Sequence, residues 1–338
     1  MSKKQPIHSS QSTLEKSMQK LHYESYDNWV QNFALNLDNI WKESSARELD
    51  PTLKKNYNRS EHSAIVIGRG PSLQKHNHLE LLANSDYNGS IVCCDGILPQ
   101  VLTAGITPDK FPKFYVVTID PYPFPRKFYD NPIVDKFGKN IKGIFSTIVN
   151  PSVVERAREA KIKIHWIHSL FDYNEGKKSF NQISALMVRA KNHKNGLPAL
   201  QTGGNVGTSS WFVAWKILQC STVALIGINH AWEEDDPWDK IITHGRSAAP
   251  EIFGKNISVE IDKNNPTFQK LFKTTYNPEF NCKCIIDPLF QFYSMALKEF
   301  ILRSPRWLTT VNATEGGSIF GDRISCKPFK TFLSEYLQ

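Results

Sequence analysis

A glycine-rich segment directly after an apolar run is the first candidate for chemistry. It reads Gly68-Arg69-Gly70-Pro71-Ser72, and a helical pattern follows it. Glycine lets backbone N–H groups approach a phosphate, and the opening of the next helix adds donors and a partial positive charge. The segment lacks the third glycine of a dinucleotide fingerprint and the Gly-Lys-Ser/Thr of a P-loop. A phosphate-binding loop and a ligand-free strand-to-helix turn are therefore the two interpretations.

A second glycine-rich segment, Gly203-Gly204-Asn205, also leads into a helical pattern. Two such loops at one sheet could hold a nucleotide's phosphates or a sugar from opposite sides. The alternative is an ordinary helix N-cap, with Asn205 or Thr208 as the capping residue.

Two aspartates, Asp95 and Asp120, follow apolar runs directly. At the carboxyl edge of a parallel sheet, such carboxylates can hold ribose hydroxyls, a base amine or Mg²⁺. A turn-forming aspartate is the alternative at each position.

Two histidines could supply acid–base chemistry. His230 follows the apolar run 222–226, and His244 comes after an acidic stretch, with Arg246 two residues on. Histidine is the natural general base near neutral pH, and arginine can neutralise a departing phosphate. In a late glycine-rich segment, Glu315 is a further candidate substrate contact. Structural histidines and a turn glutamate are the alternatives.

An alternation of strand and helix patterns must position these residues. The pattern favours βαβ units and an open, doubly wound, mostly parallel sheet, whose ligands lie at the carboxyl ends of the strands. We predict strands at 64–67, 90–94, 114–118, 143–147, 163–167 and 222–226. We predict helices at 73–83, 98–104, 152–160, 178–192 and 206–218, then a helix at 288–303, a strand at 307–312 and a helix at 329–337.

Four segments are predicted along the chain. Residues 1–60 form a helical N-terminal extension and residues 61–231 the nucleotide-binding core. Residues 232–280 form an acidic loop or lid, and residues 281–338 form a C-terminal α/β addition that completes the domain.

Composition narrows the class of protein. Lys and Arg number 41 against 33 Asp and Glu in 338 residues, a net charge of +8 that suits phosphate-bearing ligands. The basic residues are spread along the chain without a nucleic-acid-binding signature, so we expect no nucleic-acid partner. No apolar run is long enough for a membrane span. Six cysteines and the lack of a secretory signal favour reduced thiols and a cytoplasmic location.

Taken in order, the motifs resemble the MptE-like family, which includes archaeal 6-hydroxymethylpterin diphosphokinases and motility accessory factors that glycosylate flagellins with nonulosonic acids. The resemblance covers about residues 62–245 and a later motif, and the composition is compatible with an archaeal source. It rests on Gly68-Arg69-Gly70-Pro71-Ser72-Leu73, Cys94-Asp95-Gly96, Gly105-Ile106-Thr107-Pro108-Asp109 before Asp120-Pro121, Gly203-Gly204-Asn205-Val206, Gly227-Ile228-Asn229 and Asn312-Ala313-Thr314-Glu315-Gly316-Gly317.

The resemblance implies a Rossmann-like nucleotide-binding domain and one of two reactions. Diphosphokinases of the family are expected to carry paired aspartates after the third strand, where this chain has Asp120 followed by Pro121. The Asp-Pro form and the Asn312 motif look more like the glycosyltransferase branch, which often has aspartate where this chain has Asn229.

The resulting expectation is a transferase that uses a nucleotide-sugar of the CMP-nonulosonate type. Its nucleotide would bind Gly68, Arg69, Gly70, Pro71, Ser72, Asp95, Asp120, Gly203, Gly204 and Asn205, and its catalysis would use His230, His244, Arg246 and Glu315. The first alternative is a diphosphokinase that uses ATP with Mg²⁺ on Asp120, and the second is a non-catalytic nucleotide-binding module. The acceptor is a sugar, a protein or a pterin, and a homo-oligomer stays open.

Overall fold

The computed structural model describes residues 9–53, 56–170, 179–189, 196–248 and 272–336, without the side chains of 9–24, 189 and 245–248. Its strands, in chain order, are β1 Ser44–Ser45, β2 Ser63–Ile67, β3 Ser90–Cys94, β4 Phe114–Thr118, β5 Lys142–Ser146, β6 Lys163–Leu170, β7 Ala199–Gln201, β8 Thr222–Ile226, β9 Trp232–Glu233, β10 Lys273–Asn277, β11 Cys282–Ile286, β12 Thr309–Asn312 and β13 Ile324–Cys326.

Helices connect most of these strands, as a parallel sheet requires. They are α1 Ser9–Lys42, α2 Ser72–Lys75, α3 His78–Ala83, α4 Leu98–Thr103, α5 Arg126–Tyr129, α6 Pro132–Phe137, α7 Pro151–Glu159, α8 Phe180–Arg189, α9 Val206–Phe212, α10 Trp238–Ala248, α11 Pro288–Leu302 and α12 Phe329–Glu335. A π-helical turn, Val213–Ile217, continues α9, and short 3₁₀ turns lie between other elements. Within the described part of the chain, no helix is long and apolar enough to cross a membrane.

The main sheet is parallel throughout, with the strand order β1-β6-β5-β4-β3-β2-β8-β12-β13 and β7 paired to β6. In the strand order, β3, β4, β5 and β6 follow one another on one side of β2. The chain then crosses to the other side of β2 and adds β8 there. The strand order therefore reverses between β2 and β8. In open α/β sheets, ligands bind outside the carboxyl ends of the strands at this point.

The six strands predicted from apolar runs are all present, and the predicted α/β class with a Rossmann-like sheet is confirmed. Successive β2 residues alternate between two hydrophobic cores: Ile65 and Ile67 pack in one, and Ala64 and Val66 pack in the other. Side chains of a strand point to opposite faces in turn, so a sheet covered by helices on both faces needs apolar residues at every position.

The predicted helix 73–83 differs from the structure. It is two short helices, since Asn77 adopts a left-handed conformation (φ 52°) that ends the helical pattern between α2 and α3. The predicted helix 206–218 is α-helical as far as Phe212 and then becomes the π-helical turn.

A small antiparallel sheet, in the order β10-β11-β9, lies outside the main sheet. It takes up part of the predicted excursion 232–280, of which residues 249–271 lie outside the described residues. The division of the chain into four segments stays a prediction.

The long helix α1 crosses the carboxyl ends of β4 and β5. The buried Asn32 donates through Nδ2 to the Pro121 and Ile148 carbonyls at 2.8 and 3.0 Å. One turn later, Asn36 donates to the carbonyls of Thr147 and Val149 at 3.2 and 2.7 Å. These carbonyls belong to loops with no strand partner, so α1 satisfies backbone acceptors that would otherwise be buried unpaired.

Candidate functional site

The loops that follow β2 and β8 meet at the reversal of strand order. The N–H of Gly68 donates to the Ile226 carbonyl at 2.9 Å, and the N–H of Gly70 donates to the Gly227 carbonyl at 2.7 Å. A Cβ at Gly70 would lie 1.9 Å from Asn229 Oδ1. These two glycines therefore let the loops pack together. The expectation that their N–H groups reach a phosphate does not fit, because both are already donated to carbonyls of the protein.

Ser72, two residues after Gly70, also contacts the loop that follows β8. Ser72 is buried and donates through Oγ to Asn229 Oδ1 at 3.0 Å. The Asn229 side chain is buried, and its Nδ2 has no hydrogen-bond partner among the described residues. Pro71 is the residue before α2, and Arg69 is exposed. That this loop binds the nucleotide stays a prediction. Its main contact with the nucleotide would be made by the Arg69 guanidinium.

The second glycine-rich loop lies beside the first. A Cβ at Gly68 and one at Gly207, in the first turn of α9, would lie 2.3 and 2.8 Å from the same atom, Ile228 Cδ1. Asn205 is the N-cap of α9 and accepts from the Thr208 N–H at 2.8 Å. The capping interpretation of Asn205 is thus correct, and the two predicted loops flank one residue.

A tyrosine that sequence reasoning missed joins this loop to the rest of the site. Gly204 has a left-handed conformation (φ +80°), and a Cβ there would lie 2.8 Å from the ring of Tyr293. The Tyr293 ring centroid is 5.8 Å from that of His230. Burial raises the pKa of Tyr293, and the charges of Asp287 and Asp120 raise it further. These residues therefore surround one region at the strand ends.

Asp95 and Asp120 follow the neighbouring strands β3 and β4. Burial, together with the charge of Asp120, raises the pKa of Asp95 to about 7. Hydrogen bonds from the Gly96 N–H and the Thr118 side chain lower that pKa, as does Arg69. Burial also raises the pKa of Asp120, which accepts from the Tyr122 N–H at 2.9 Å. The carboxyl group of Asp120 is therefore close enough to disfavour ionisation of Asp95.

His230 is buried in a left-handed conformation (φ 42°), beside Phe290 and Tyr293. Burial, together with the neighbouring His244, lowers its pKa to about 3. Its Nδ1 has no hydrogen-bond partner among the described residues. A histidine with so low a pKa is neutral at physiological pH and a poor proton acceptor, so it fits a hydrogen-bonding role better than that of a general base.

His244 has the geometry of an oriented base. Its Nδ1 lies 2.7 Å from Oδ2 of the fully buried Asp287, which also accepts from the Trp232 indole N–H at 2.7 Å. The other oxygen of Asp287 caps α11 by accepting from the N–H groups of Leu289 and Phe290. An imidazole that donates through Nδ1 carries its basic lone pair on Nε2, the arrangement found in serine hydrolase triads.

Asp287 is the second residue that sequence reasoning missed. The signal available was an Asp-Pro pair directly before the predicted helix 288–303, which identifies an N-cap. Nothing in the sequence pairs it with a histidine 43 residues earlier.

Glu315 and Arg246 are the remaining two candidates for catalysis. Glu315 accepts through Oε1 from His78 Nε2 at 3.2 Å and from the Phe329 N–H at 3.0 Å, so it joins α3 to the start of α12. Its contacts are those of a structural residue, and its catalytic role stays a prediction. Arg246 lies in α10, but its side chain is outside the described part of the chain.

The chain is similar to a known family and to a solved structure. A family described as 6-hydroxymethylpterin diphosphokinase MptE-like matches residues 31–235, which is more than half of the chain. The chain belongs to the MptE-like family. The family description names an enzyme that transfers a diphosphoryl group, so membership indicates a transferase.

A solved structure shares the fold of this MptE-like chain. It is titled as the structure of MAf glycosyltransferase from Magnetospirillum magneticum AMB-1, with a TM-score of 0.54 and 13% sequence identity. The alignment covers 89% of this chain and 42% of that protein, so the chain spans less than half of that protein's length. Among curated proteins, none matches the chain significantly.

The MptE-like assignment raises the question of Mg²⁺. In the described ranges, no group of three or more His, Cys, Asp or Glu side chains could hold a metal ion. Mg²⁺ is commonly held by one or two carboxylates together with substrate phosphates and waters. The Asp95 and Asp120 carboxyl groups fit that smaller requirement, since the charge of Asp120 raises the pKa of Asp95 and a bound cation would offset that charge.

Because the pKa of Asp95 is raised, we expect the free energy of unfolding to depend on pH. An unfolded aspartate titrates near 3.8, whereas Asp95 titrates near 7 in the folded chain. Between these values the unfolded chain has released the proton that the folded chain keeps, so stability falls as pH rises, by up to about 1.4 kcal/mol per pH unit. Above about pH 7 this contribution is constant.

Asp95→Asn is expected to remove that pH dependence, because asparagine does not titrate. Urea unfolding between pH 5 and 8 measures the difference between the wild type and the variant at each pH. The exposed Asp86, changed to asparagine, is the matched control and should leave the wild-type profile unchanged. Parallel profiles for the wild type and Asp95→Asn would show that Asp95 does not titrate near 7.

Proposed function

We propose that this chain is a nucleotide-dependent transferase that uses a nucleotide-sugar of the CMP-nonulosonate type. The observation that carries the proposal is the His244–Asp287 pair, which supplies an oriented base beside the reversal of strand order. A glycosyl acceptor is an alcohol, and its hydroxyl becomes a better nucleophile when a base removes the proton during attack. Family membership supports the same broad class of reaction.

In the proposed reaction, the acceptor hydroxyl oxygen forms a bond to the anomeric carbon of the donor sugar. The bond from that carbon to the phosphate oxygen breaks, and the nucleotide leaves with the electron pair. The acceptor proton moves to Nε2 of His244, and Asp287 stabilises the resulting imidazolium. Arg69 and Arg246 would offset the charge on the departing phosphate.

The alternative is transfer of a diphosphoryl group from ATP to a hydroxymethylpterin. The effect of the Asp120 charge on Asp95 favours it, since two neighbouring carboxyl groups could bind Mg²⁺. In that reaction the bound Mg²⁺ would neutralise phosphate charge, and the pterin hydroxyl would be the acceptor. A module that binds nucleotide without chemistry is the third candidate, and it would need neither His244 nor a metal.

Thermal unfolding with CMP, CDP, UDP, ADP and ATP, each with and without Mg²⁺, tests the proposal. A ligand at about 100 times its dissociation constant adds about 2.7 kcal/mol, which raises the melting temperature by several degrees. We expect a shift with CMP that does not depend on Mg²⁺. A shift seen only with ATP and Mg²⁺ would favour the diphosphokinase. A chain that no nucleotide stabilises would contradict both.

A further inference from the structure

The loop that follows β4 carries two exposed aromatic side chains. The accessible fractions are 41% for Tyr122 and 49% for Phe124, in a chain whose other large apolar residues are mostly buried. Single exposed aromatics are ordinary on protein surfaces. These two lie directly after Asp120, at the carboxyl edge of the sheet, so their surroundings decide whether they have a role.

Phe124 belongs to a cluster of two rings and two cations. Its ring meets that of Phe128 edge to face, with centroids 5.6 Å apart. Lys127 Nζ lies 5.2 Å from the Phe124 centroid and 5.3 Å from that of Phe128. Arg69 Cζ lies 5.6 Å from the Phe128 centroid. We call Arg69, Phe124, Lys127 and Phe128 the aromatic platform.

The aromatic platform adjoins the candidate site. Arg69 comes from the glycine-rich loop after β2, and a Cβ at Gly96, after β3, would lie 3.5 Å from both Arg69 and Phe128. Arg69 also acts on the pKa of Asp95. The platform thus lies near the ends of β2, β3 and β4, with Arg69 on the side of the glycine-rich loop.

Hydrogen bonds to neighbouring elements hold the loop that bears Phe124 in place. Asn32 of α1 donates to the Pro121 carbonyl, and Ser25 Oγ lies 2.6 Å from the Tyr122 hydroxyl. On the other side, Tyr129 at the end of α5 bonds through its hydroxyl to Thr118 Oγ1. A surface fixed at both ends loses little entropy when it binds a flat ligand.

We infer that the aromatic platform binds the base of the nucleotide, with Phe124 as the stacking surface. This inference rests on the proposed function. A nucleotide bound across a doubly wound sheet places its phosphates at the loop after the first strand, here beside the Arg69 guanidinium, and its ribose at the acid after the next strand. If the nucleotide extends further in this direction, from β2 past β3 to β4, its base lies over the loop after β4, where Phe124 is exposed. Arg69 and Lys127 carry charge opposite to that of the phosphates, and Asp120 can accept a hydrogen bond from a base amine.

Calorimetric titration of the full chain with CMP and with ribose 5-phosphate, which lacks the base, tests the inference. Phe124→Ala is expected to weaken CMP about 10- to 100-fold, because a base stacked on an aromatic ring contributes that much affinity. Binding of ribose 5-phosphate should be unchanged. Phe124→Trp, which keeps a stacking surface, should bind CMP as well as the wild type does. Tyr276→Ala is the control, since Tyr276 is an equally exposed aromatic in the small antiparallel sheet.

The outcomes separate the inference from the proposed function. Wild-type affinity for CMP in Phe124→Ala would overturn the platform while leaving the nucleotide-binding proposal intact. Equal weakening of CMP and ribose 5-phosphate would also overturn it, since loss of stacking affects only the ligand with a base. A wild-type chain that binds neither CMP nor ATP with Mg²⁺ would overturn the proposed function, and the inference with it.

Discussion

His244→Ala is expected to reduce the rate of transfer by about 10²- to 10⁴-fold while leaving nucleotide affinity near the wild-type value. That range is the usual contribution of a general base. The imidazole is positioned by Asp287 and partly exposed, so it could receive a proton from an acceptor. Release of free nucleotide from the donor measures the rate, and melting with the nucleotide identified by the ligand panel measures binding.

Asp287→Asn tests how the histidine is held. Asparagine keeps an oxygen that can cap α11, so the fold should be retained, but it removes the negative charge that would stabilise the imidazolium formed during transfer. We expect a lower rate of transfer, with nucleotide affinity near the wild-type value. Thr243→Ala, an exposed neighbour of His244 in α10, is the matched control. A wild-type rate in His244→Ala would remove this histidine from the mechanism.

Gly70→Ala is the second change with a large expected effect. A methyl group there would lie 1.9 Å from Asn229 Oδ1 and 2.7 Å from the Gly227 carbonyl oxygen, which is backbone and cannot turn away. The two loops would have to separate, and overpacking of this kind costs about 1–3 kcal/mol or more. Because Arg69 and Asn229 move with the loops, nucleotide affinity should fall as well.

Urea unfolding and calorimetry measure the two effects of Gly70→Ala. Gly96→Ala is the matched control at the end of the neighbouring strand, because a Cβ there would make only ordinary contacts at 3.5 Å and beyond. We expect Gly96→Ala to change stability by no more than about 0.5 kcal/mol. If the two variants were equally stable, the close approach of the loops would be absent in solution.

The main sheet was predictable because its strands leave a clear trace in the sequence. A strand such as β8 is buried on both faces, so its residues 223–226 are all apolar, and a glycine follows its last residue. The two-residue β1 and the three-residue β13 leave no such trace. They are extended because they pair with β6 and β12, and pairing depends on the tertiary structure rather than on local propensity.

The site was predictable in its location but not in its details. Parallel strands bring the residues after them to one edge, so Asp95, Asp120 and His230 could be placed there from the strand pattern alone. The partner of His244 could not, because that contact depends on how α10 packs against α11. The glycines after β2 were predicted to approach a phosphate, yet their neighbours are the atoms of another loop, which no local pattern reveals.

The crossing of α1 over the strand ends bears on how the protein can be dissected. Asn32 and Asn36 together saturate four carbonyls in the loops after β4 and β5. A fragment beginning after residue 60 would expose these acceptors and the apolar surface that Phe33 and Ile40 of α1 cover. The N-terminal helix is therefore part of the smallest autonomous folding unit, and deletion mapping that removes it would report misfolding as a loss of function.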